Sequence, residues 1–419
     1  MALGAARVAS EHGPKESVYG HNQSPGAPSK EDVSHLTGRG PEEAARAARR
    51  PRLLLLVTLA ETGGAQSYVA SLLPAVAPEF DVTVAAHGEG FLRDAAVAAG
   101  VRYVALEQVR RPVDPRRDLL GLLELVRLLR RVRPEIVHAN SSKAGVLGRI
   151  AAVVTGVPVR IFTVHGWAFK AHAGAAATAY RWADRLMRPL TTTTICVAES
   201  ERAAGLAART CDAATTVVIP NGVALDRPRR RHAQAASPVT LLAVGRLQAP
   251  KDFGTLIRAA ARLEPGSARV LIAGEGPDRA ALEEEIARLG MAGTVELLGA
   301  RGDVAALLAQ ADVFVLPTRS EGMPMSVLEA MAAELPVVAS AVGGVPEIVG
   351  DGVTGALVPP GDSAALAGTL ARLTVDGALR ARLGRAGRER AEREFGLDGF
   401  RQAHLRLYRA GLGAKRARR

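Results

Sequence analysis

A chain of 419 residues is too long for one ordinary hydrophobic core and predicts two domains plus tails. Its 48% hydrophobic and 23% charged residues fit a globular protein, and its two cysteines, Cys196 and Cys211, have no metal-ligand spacing, which argues against a zinc site and for a reducing compartment. The net charge of +12 suits nucleic acid, an anionic membrane face or an anionic substrate, or simply reflects an arginine- and alanine-rich composition; at 4% aromatic residues and without a recognisable DNA- or RNA-binding motif, nucleic acid is set aside.

The first 50 residues are polar, with Pro, Gly and Ser but no apolar core of the kind a secretory signal needs, and are expected to be a disordered segment of a cytoplasmic protein. The first apolar run, Leu53 to Leu59, falls far short of the roughly 20 residues that span a bilayer and reads as a buried strand. From there, short apolar runs alternate with amphipathic stretches. Strands are expected at Leu53–Thr58, Val82–Ala85, Val101–Leu106, Ile136–Ala139, Val159–Thr163 and Thr194–Val197, with helices between them at Gln66–Leu73, Phe91–Ala99, Leu119–Val132 and Lys143–Val154. Continuous apolar strands separated by helices indicate a parallel sheet covered on both faces, here a doubly wound domain over 51–225. Leu119–Val132 carries Arg127, Arg130 and Arg131, and reads either as a covering helix of that domain or as one resting on an anionic bilayer.

A basic stretch, 226–237, reads as a linker. The alternation then restarts over 238–390, with strands at Val239–Val244, Arg269–Ala273, Val295–Leu298, Val313–Leu316, Val337–Ala339 and Ala356–Val358, and helices at Asp252–Ala261, Asp278–Leu289, Val304–Ala309, Ser326–Ala333 and Ala364–Leu373. A helix over 391–412 is expected to pack back toward the first domain, and 413–419 form a basic tail that reads as a solvated end or a membrane contact. Two parallel sheets that face each other place a ligand between them, beyond the C-terminal ends of their strands.

The sharpest chemical signal is Ser320-Glu321-Gly322-Met323-Pro324-Met325-Ser326-Val327-Leu328-Glu329, directly after the strand Val313–Leu316. Pro324 suits the start of a helix, so Glu321 falls on the loop and Glu329 about one turn into the helix. Between them the helix N-terminus offers free amides and a positive dipole end to an anion such as a diphosphate, while the two carboxylates can take hydrogen bonds from sugar hydroxyls. Cations for the phosphates follow an earlier strand: Gly245 leaves room at its exit, Arg246 can grip two oxygens and Lys251 adds a point charge. The chain has no Asp-x-Asp pair, the usual means of holding a divalent ion on a diphosphate, so Arg246 and Lys251 are expected to replace a metal and no cofactor is called for.

In the first domain, Gly63-Gly64 opens a helix after the first strand and lets a ligand approach the backbone, or makes an ordinary turn. Thr163-Val164-His165-Gly166-Trp167 brings a histidine to the mouth of the same sheet, catalytic or structural. His138-Ala139-Asn140-Ser141-Ser142-Lys143 leaves a strand and starts a helix. Its His138, Asn140, Ser141 and Lys143 could hold an acceptor, or Asn140 or Ser141 could merely cap that helix.

Together these residues resemble the family-4 retaining glycosyltransferases of the GT-B fold, over nearly the whole chain from about Arg52 to about Leu412. The neighbouring Ala273-Gly274-Glu275-Gly276-Pro277, Leu298-Gly299 and Val342-Gly343-Gly344-Val345-Pro346-Glu347 fit the same pattern. The resemblance implies two Rossmann-like domains facing across a cleft. It implies Glu321 on the donor sugar near its reacting carbon, Glu329 on the ribose, and Arg246 and Lys251 on the diphosphate. Gly322 and Gly245 would belong to the donor loops, Met325 and Ser326 would lend backbone amides, the Arg301 region would face the base and Gly64 would lie against phosphate. His165 matches a histidine that binds the donor or assists the reaction. The stretches 138–145 and 163–167 are similar to bacterial members that build surface polysaccharides on lipid carriers, although such members often have a histidine where this chain has Asn140.

The function implied is transfer of a hexosyl or N-acetylhexosaminyl group, without a metal, from a nucleotide-sugar (UDP ahead of GDP) to a saccharide or polyprenyl-linked acceptor. The setting would be the cytoplasm or the inner face of the plasma membrane. Without an evident enzyme nucleophile, retention is expected through front-face displacement, with the leaving diphosphate steadied electrostatically. A sugar-nucleotide epimerase, a phosphorylase and a non-catalytic sugar-nucleotide-binding protein are the competing readings on such a scaffold.

Overall fold

The computed structural model describes residues 50–226 and 238–417, side chains to residue 414. The segment 1–49, expected to be disordered, and most of the basic linker lie outside the described residues.

The first domain is built on seven parallel strands. The first of them, β1 (Arg52–Leu59), has six consecutive buried residues, as a central strand covered on both faces requires. Around it lie β2 (Asp81–His87), β3 (Arg102–Leu106), β4 (Ile136–Ala139), β5 (Val159–Val164), β6 (Thr193–Cys196) and β7 (Thr216–Val218), in the order β3-β2-β1-β4-β5-β6-β7. The helices α1 (Gly64–Val76), α2 (Phe91–Ala98), α3 (Pro115–Val132), α4 (Ser142–Val154), α5 (Ala168–Ala171), α6 (Gly174–Met187) and α7 (Glu199–Ala207) connect them. Asp114 fixes the start of α3 by accepting from the amides of Arg116 and Arg117, and α3 buries Leu125, Val126, Leu129 and Val132 in the core beneath it.

The second domain repeats the design with six strands, β8 (Val239–Val244), β9 (Ala268–Ala273), β10 (Val295–Gly299), β11 (Val313–Leu316), β12 (Val337–Ser340) and β13 (Gly355–Val358), ordered β10-β9-β8-β11-β12-β13. In each sheet the strand order reverses once, between β1 and β4 and between β8 and β11. Loops leaving those strand pairs diverge to opposite faces and open the crevice in which such sheets bind ligands.

The sequence reading missed α6, α7 and the edge strand β7. Helix α6 presents little apolar surface to a core: among its residues only Asp184 is buried, so hydrophobic periodicity gives a weak signal there. The expected helix over 391–412 is corrected to two. Helix Gly377–Glu394 ends, the chain breaks at Phe395-Gly396, and a second helix runs Leu397–Ala417, through part of the expected tail. At the break the Phe395 carbonyl accepts from the amide of Val223, the returning end of the first domain. The last helix then lies on α1: the Arg401 side chain donates to the Ser71 carbonyl and Arg409 pairs with Glu79.

Candidate functional site

The loops Gly245–Asp252 and Pro317–Pro324 leave β8 and β11 at the second switch point. A short antiparallel bridge between Lys251 and Thr318 ties them together. Lys251 Nζ donates to Glu321 Oε1 at 2.6 Å, and the Thr318 hydroxyl donates to the same oxygen at 3.0 Å. The sequence reading did not identify Thr318. Both members of the pair are mostly buried, with side chains 17% and 13% exposed, so the contact is more than a surface ion pair.

Four residues beyond Glu321 begins the helix Met325–Ala332. Pro324, at its N-cap, is extended and brings no side-chain cap, which leaves the amides of Met325 and Ser326 without intrahelical acceptors. Glu329 sits one turn further, half-buried and with a partner of its own. Arg246 is exposed in the first of the two loops. Arg111 of the first domain feels its charge: burial and then Arg246 lower the Arg111 guanidinium, and Glu61 raises it. Arg111 was not anticipated either. Arg301 is exposed and held in a two-pronged pair with Asp303, at 2.7 and 2.6 Å, so its guanidinium is already engaged.

The two domains meet at this place. A Cβ on Gly322 would lie 2.1 Å from the carbonyl oxygen of His165, so only glycine allows the Glu321 loop to touch the first domain there. Glu347, in the second domain, accepts from the amides of Glu199 and Ser200, both at 2.7 Å, and thereby caps α7 of the first. Asn221, just after β7, donates through Nδ2 to the Met323 carbonyl at 2.8 Å. The sequence quoted Glu347 only as part of a pattern and passed over Asn221, although Pro220-Asn221-Gly222 is a turn signal.

On the first-domain side, Gly64 begins α1 with open space where a side chain would be, so packing does not explain the glycine. His165 follows β5. Its ring stands edge-on to Tyr68 with centroids 4.7 Å apart, its Nε2 is buried without a partner, and burial followed by the nearby His404 push it down to about 4. At neutral pH it is an uncharged imidazole.

His138 is corrected as an acceptor-side candidate. Lys143 is tied to Asp118 and to the Pro112 carbonyl. His138 is fully buried in a chain of hydrogen bonds whose direction one carbonyl decides. His404 is neutral because burial pushes it down to about 4, so with Nδ1 donating to the Phe400 carbonyl (2.8 Å) its Nε2 must accept from the Tyr68 hydroxyl (2.6 Å). Tyr68 therefore accepts from Thr163 (3.1 Å), Thr163 from His138 Nε2 (2.6 Å), and His138 Nδ1 from Tyr408 (2.7 Å). Every proton is placed, and His138 and His404 are both neutral, in keeping with their lowered pKa values. The sequence showed no sign of this network because its members lie far apart along the chain. Asn140 is also fully buried, and Ser141 turns its hydroxyl to the amide and hydroxyl of Thr58 rather than capping α4.

The family model for glycosyltransferase family 4 matches residues 62–227, and that for glycosyl transferases group 1 matches residues 226–390. The UDP-Gal:alpha-D-GlcNAc-diphosphoundecaprenol alpha-1,3-galactosyltransferase of Escherichia coli is 30% identical over 318 residues, 72% of this chain and 82% of that one. This chain belongs to glycosyltransferase family 4. The capsular polysaccharide biosynthesis glycosyltransferase CapM of Staphylococcus aureus is 27% identical over 66% of this chain and 77% of its own. Anabaena Alr3699/HepE, solved in complex with UDP-glucose, superposes with a TM-score of 0.76 at 22% identity, covering 86% of this chain and 99% of that one. The fold of the transferase is therefore GT-B, and the switch-point loops of its two domains form the cleft.

Proposed function

We propose that the protein is a retaining transferase that moves a sugar from a UDP-sugar to a saccharide on a polyprenyl-diphosphate carrier, in the building of a surface polysaccharide. The observation that carries this reading is the Lys251–Glu321 pair beside the uncapped amides of Met325 and Ser326. A sugar diphosphate laid there puts its phosphates on Lys251, Arg246 and the helix N-terminus, and its hydroxyls on Glu321 and Glu329. The E. coli relative uses UDP-galactose and a lipid-linked acceptor, which supports those two substrate classes.

As the bond to diphosphate breaks, negative charge grows on the leaving oxygen. Donor binding draws Lys251 from Glu321 to the phosphates, and Lys251, Arg246 and the two amides then receive that charge as the bond breaks. The acceptor hydroxyl attacks from the face that the diphosphate leaves, which preserves the anomeric configuration, and its proton passes to the departing phosphate. His165, neutral and lacking a hydrogen-bond partner at Nε2, can bond a donor hydroxyl without adding charge. The two cationic side chains do the work of a metal.

Among the described residues no helix is long and apolar enough to cross a membrane. The lipid carrier is instead met at the cytoplasmic membrane face. There α3 exposes Leu119, Leu120 and Leu123 beside Arg127, Arg130 and Arg131, and α6 exposes Trp182 and Leu186. The test is hydrolysis and binding of UDP-, GDP- and ADP-sugars by the wild type, Glu321→Ala and Arg246→Ala, with and without EDTA. One donor should be slowly hydrolysed regardless of EDTA, and both variants should lose turnover. If no nucleotide-sugar binds, or if turnover survives both substitutions, the site is wrong. Sedimentation with anionic but not neutral liposomes tests the membrane contact, and recovery of the protein in the supernatant at low salt would remove it.

A further inference from the structure

A cavity of about 210 Å3 lies in the first domain at the C-terminal ends of β4 and β5. Its wall includes Ala65, Asn140, Phe162, His165, Trp167 and Asp184. Ala65 is the second residue of α1, next to the open side of Gly64. Gly166, also in the wall, approaches the backbone of Gly322 across the domain interface. The cavity therefore borders the cleft beside the Glu321 loop.

Its polar groups are short of donors. Asn140 is fully buried and donates Nδ2 to the His138 carbonyl at 3.1 Å. Only the amide nitrogen can make that bond, so the orientation of the amide is settled and Oδ1 is the atom left without a partner. His165 Nε2 is buried and unpartnered as well. Asp184 is 8% exposed, and its ion pair is a long one, 3.7 Å to Arg149. The nitrogen at that distance is Nη2, which has no other partner; Nε is on the Gly145 carbonyl, Nη1 is on Thr191, and the guanidinium lies 4.1 Å over the Phe162 ring, which together hold Nη2 at that distance. A carboxylate with room for about four accepted bonds thus has one distant donor.

Two of these three groups can only accept, and no lysine or arginine lines the cavity. Those acceptors favour a neutral ligand rich in hydroxyl or amide hydrogens. Phe162 and Trp167 supply the apolar wall that the C–H face of a sugar ring needs. The volume is below the roughly 300–1,000 Å3 of pockets for drug-sized ligands, so a single ring is the fitting occupant.

We infer that this cavity is the subsite for the reacting pyranose of the acceptor, in which Asn140 Oδ1 and the Asp184 carboxylate accept its hydroxyl or amide hydrogens, and that Asp184 selects which pyranose is taken. The inference rests on the transferase reading and deepens it. Neither Asp184 nor its helix was singled out by the sequence.

The test uses the whole protein saturated with UDP and ligand-observed NMR with methyl glycosides of glucose, galactose, N-acetylglucosamine and N-acetylgalactosamine, in both anomers. The wild type should bind at least one of them. Asp184→Asn keeps the shape but turns one accepting oxygen into a donor, and Asn140→Leu removes the free acceptor. Each should weaken that glycoside by about tenfold or more, with UDP affinity unchanged as evidence that the fold is intact. If the wild type fails to bind UDP, the donor reading falls and this one falls with it. If UDP binds but no glycoside does, or if a glycoside binds equally well to either correctly folded variant, the subsite is refuted while the donor site stands.

Discussion

Tyr68 donates its hydroxyl hydrogen to Nε2 of His404 at 2.6 Å, across 336 positions of sequence, and so bonds the first helix of the first domain to the last helix of the chain. The bond is one link of a buried series in which each hydroxyl and imidazole donates one hydrogen. Tyr68 also holds its ring against His165. The helix that follows the second domain thereby supports the floor of the cleft in the first.

Tyr68→Phe keeps the ring and removes that link, leaving His404 Nε2 without a donor and the Thr163 hydroxyl hydrogen without an acceptor, both buried. The expected cost is about 1–3 kcal/mol of unfolding free energy, measured in urea. A loss under about 0.5 kcal/mol, the range of an ordinary surface change, would mean that the series does not stabilise the fold.

Acid should destabilise the protein between pH 6.5 and about 4. His138 lies well below its ordinary value of 6.5, and His165 and His404 are near 4, in each case chiefly through burial. A depressed histidine contributes stability that is whole above 6.5 and is lost as pH falls toward the folded value, because the unfolded chain takes up the proton first. Asp184 runs the other way. Burial raises it to about 6, so its contribution is present in acid and is lost as pH rises from 3.8 through 6. Three groups oppose one, and the net loss is on acidification. Tm should fall by about 5 °C or more from pH 7 to pH 5, and His404→Gln should flatten that slope. A Tm that is level over this range would contradict the neutral assignment.

Much of the proposed donor site was legible in the sequence because its parts are local. Glu321, Pro324 and Glu329 sit within nine residues, and a proline after an apolar run announces a helix start whose free amides suit an anion. Gly245, Arg246 and Lys251 are equally close together. What joins them is not local: the Lys251–Thr318 bridge and the Glu321 carboxylate that accepts from both exist only once β8 and β11 lie side by side. His138 and His165 show the opposite case. Both stand at strand ends with the same sequence look, yet one is consumed by Tyr408 and Thr163 while the other keeps a free nitrogen, and the difference is made by a helix more than 230 residues downstream. Asp184 was hidden because the one buried residue of its helix is polar and the apolar residues there are at most partly buried, which leaves a weak periodicity to read.

Gly322→Ala should uncouple the domains. The new Cβ would sit 2.1 Å from the His165 carbonyl oxygen, a backbone atom that cannot swing aside, so the Glu321 loop must retreat. Turnover should fall by about 10²-fold, as when a reacting geometry is displaced by an ångström. Isolated UDP binding, which in the proposed site rests mainly on the second domain, should be largely kept, and small-angle scattering should show a more open molecule. Unchanged turnover would mean that this contact is absent in the working enzyme.

The last prediction separates the two members of the central pair. In the ligand-free protein Lys251 spends its charge on Glu321 at 2.6 Å, but the proposed chemistry needs Lys251 on phosphate and Glu321 on sugar. Donor binding must therefore part them. Glu321→Gln removes the competing negative charge, so UDP itself, which has phosphates and no sugar, should bind more tightly, by about fivefold or more, since about fivefold is the upper range for an exposed pair and this one is mostly buried. The same variant should transfer sugar about 10²-fold more slowly, since its amide replaces a charged acceptor at the reacting ring. Lys251→Met should weaken UDP and slow turnover together. Calorimetry with UDP and steady-state kinetics with the identified donor measure the four quantities. Weaker UDP binding in Glu321→Gln would mean that the carboxylate holds Lys251 in place for phosphate rather than competing for it, and the division of labour between the two residues would be withdrawn.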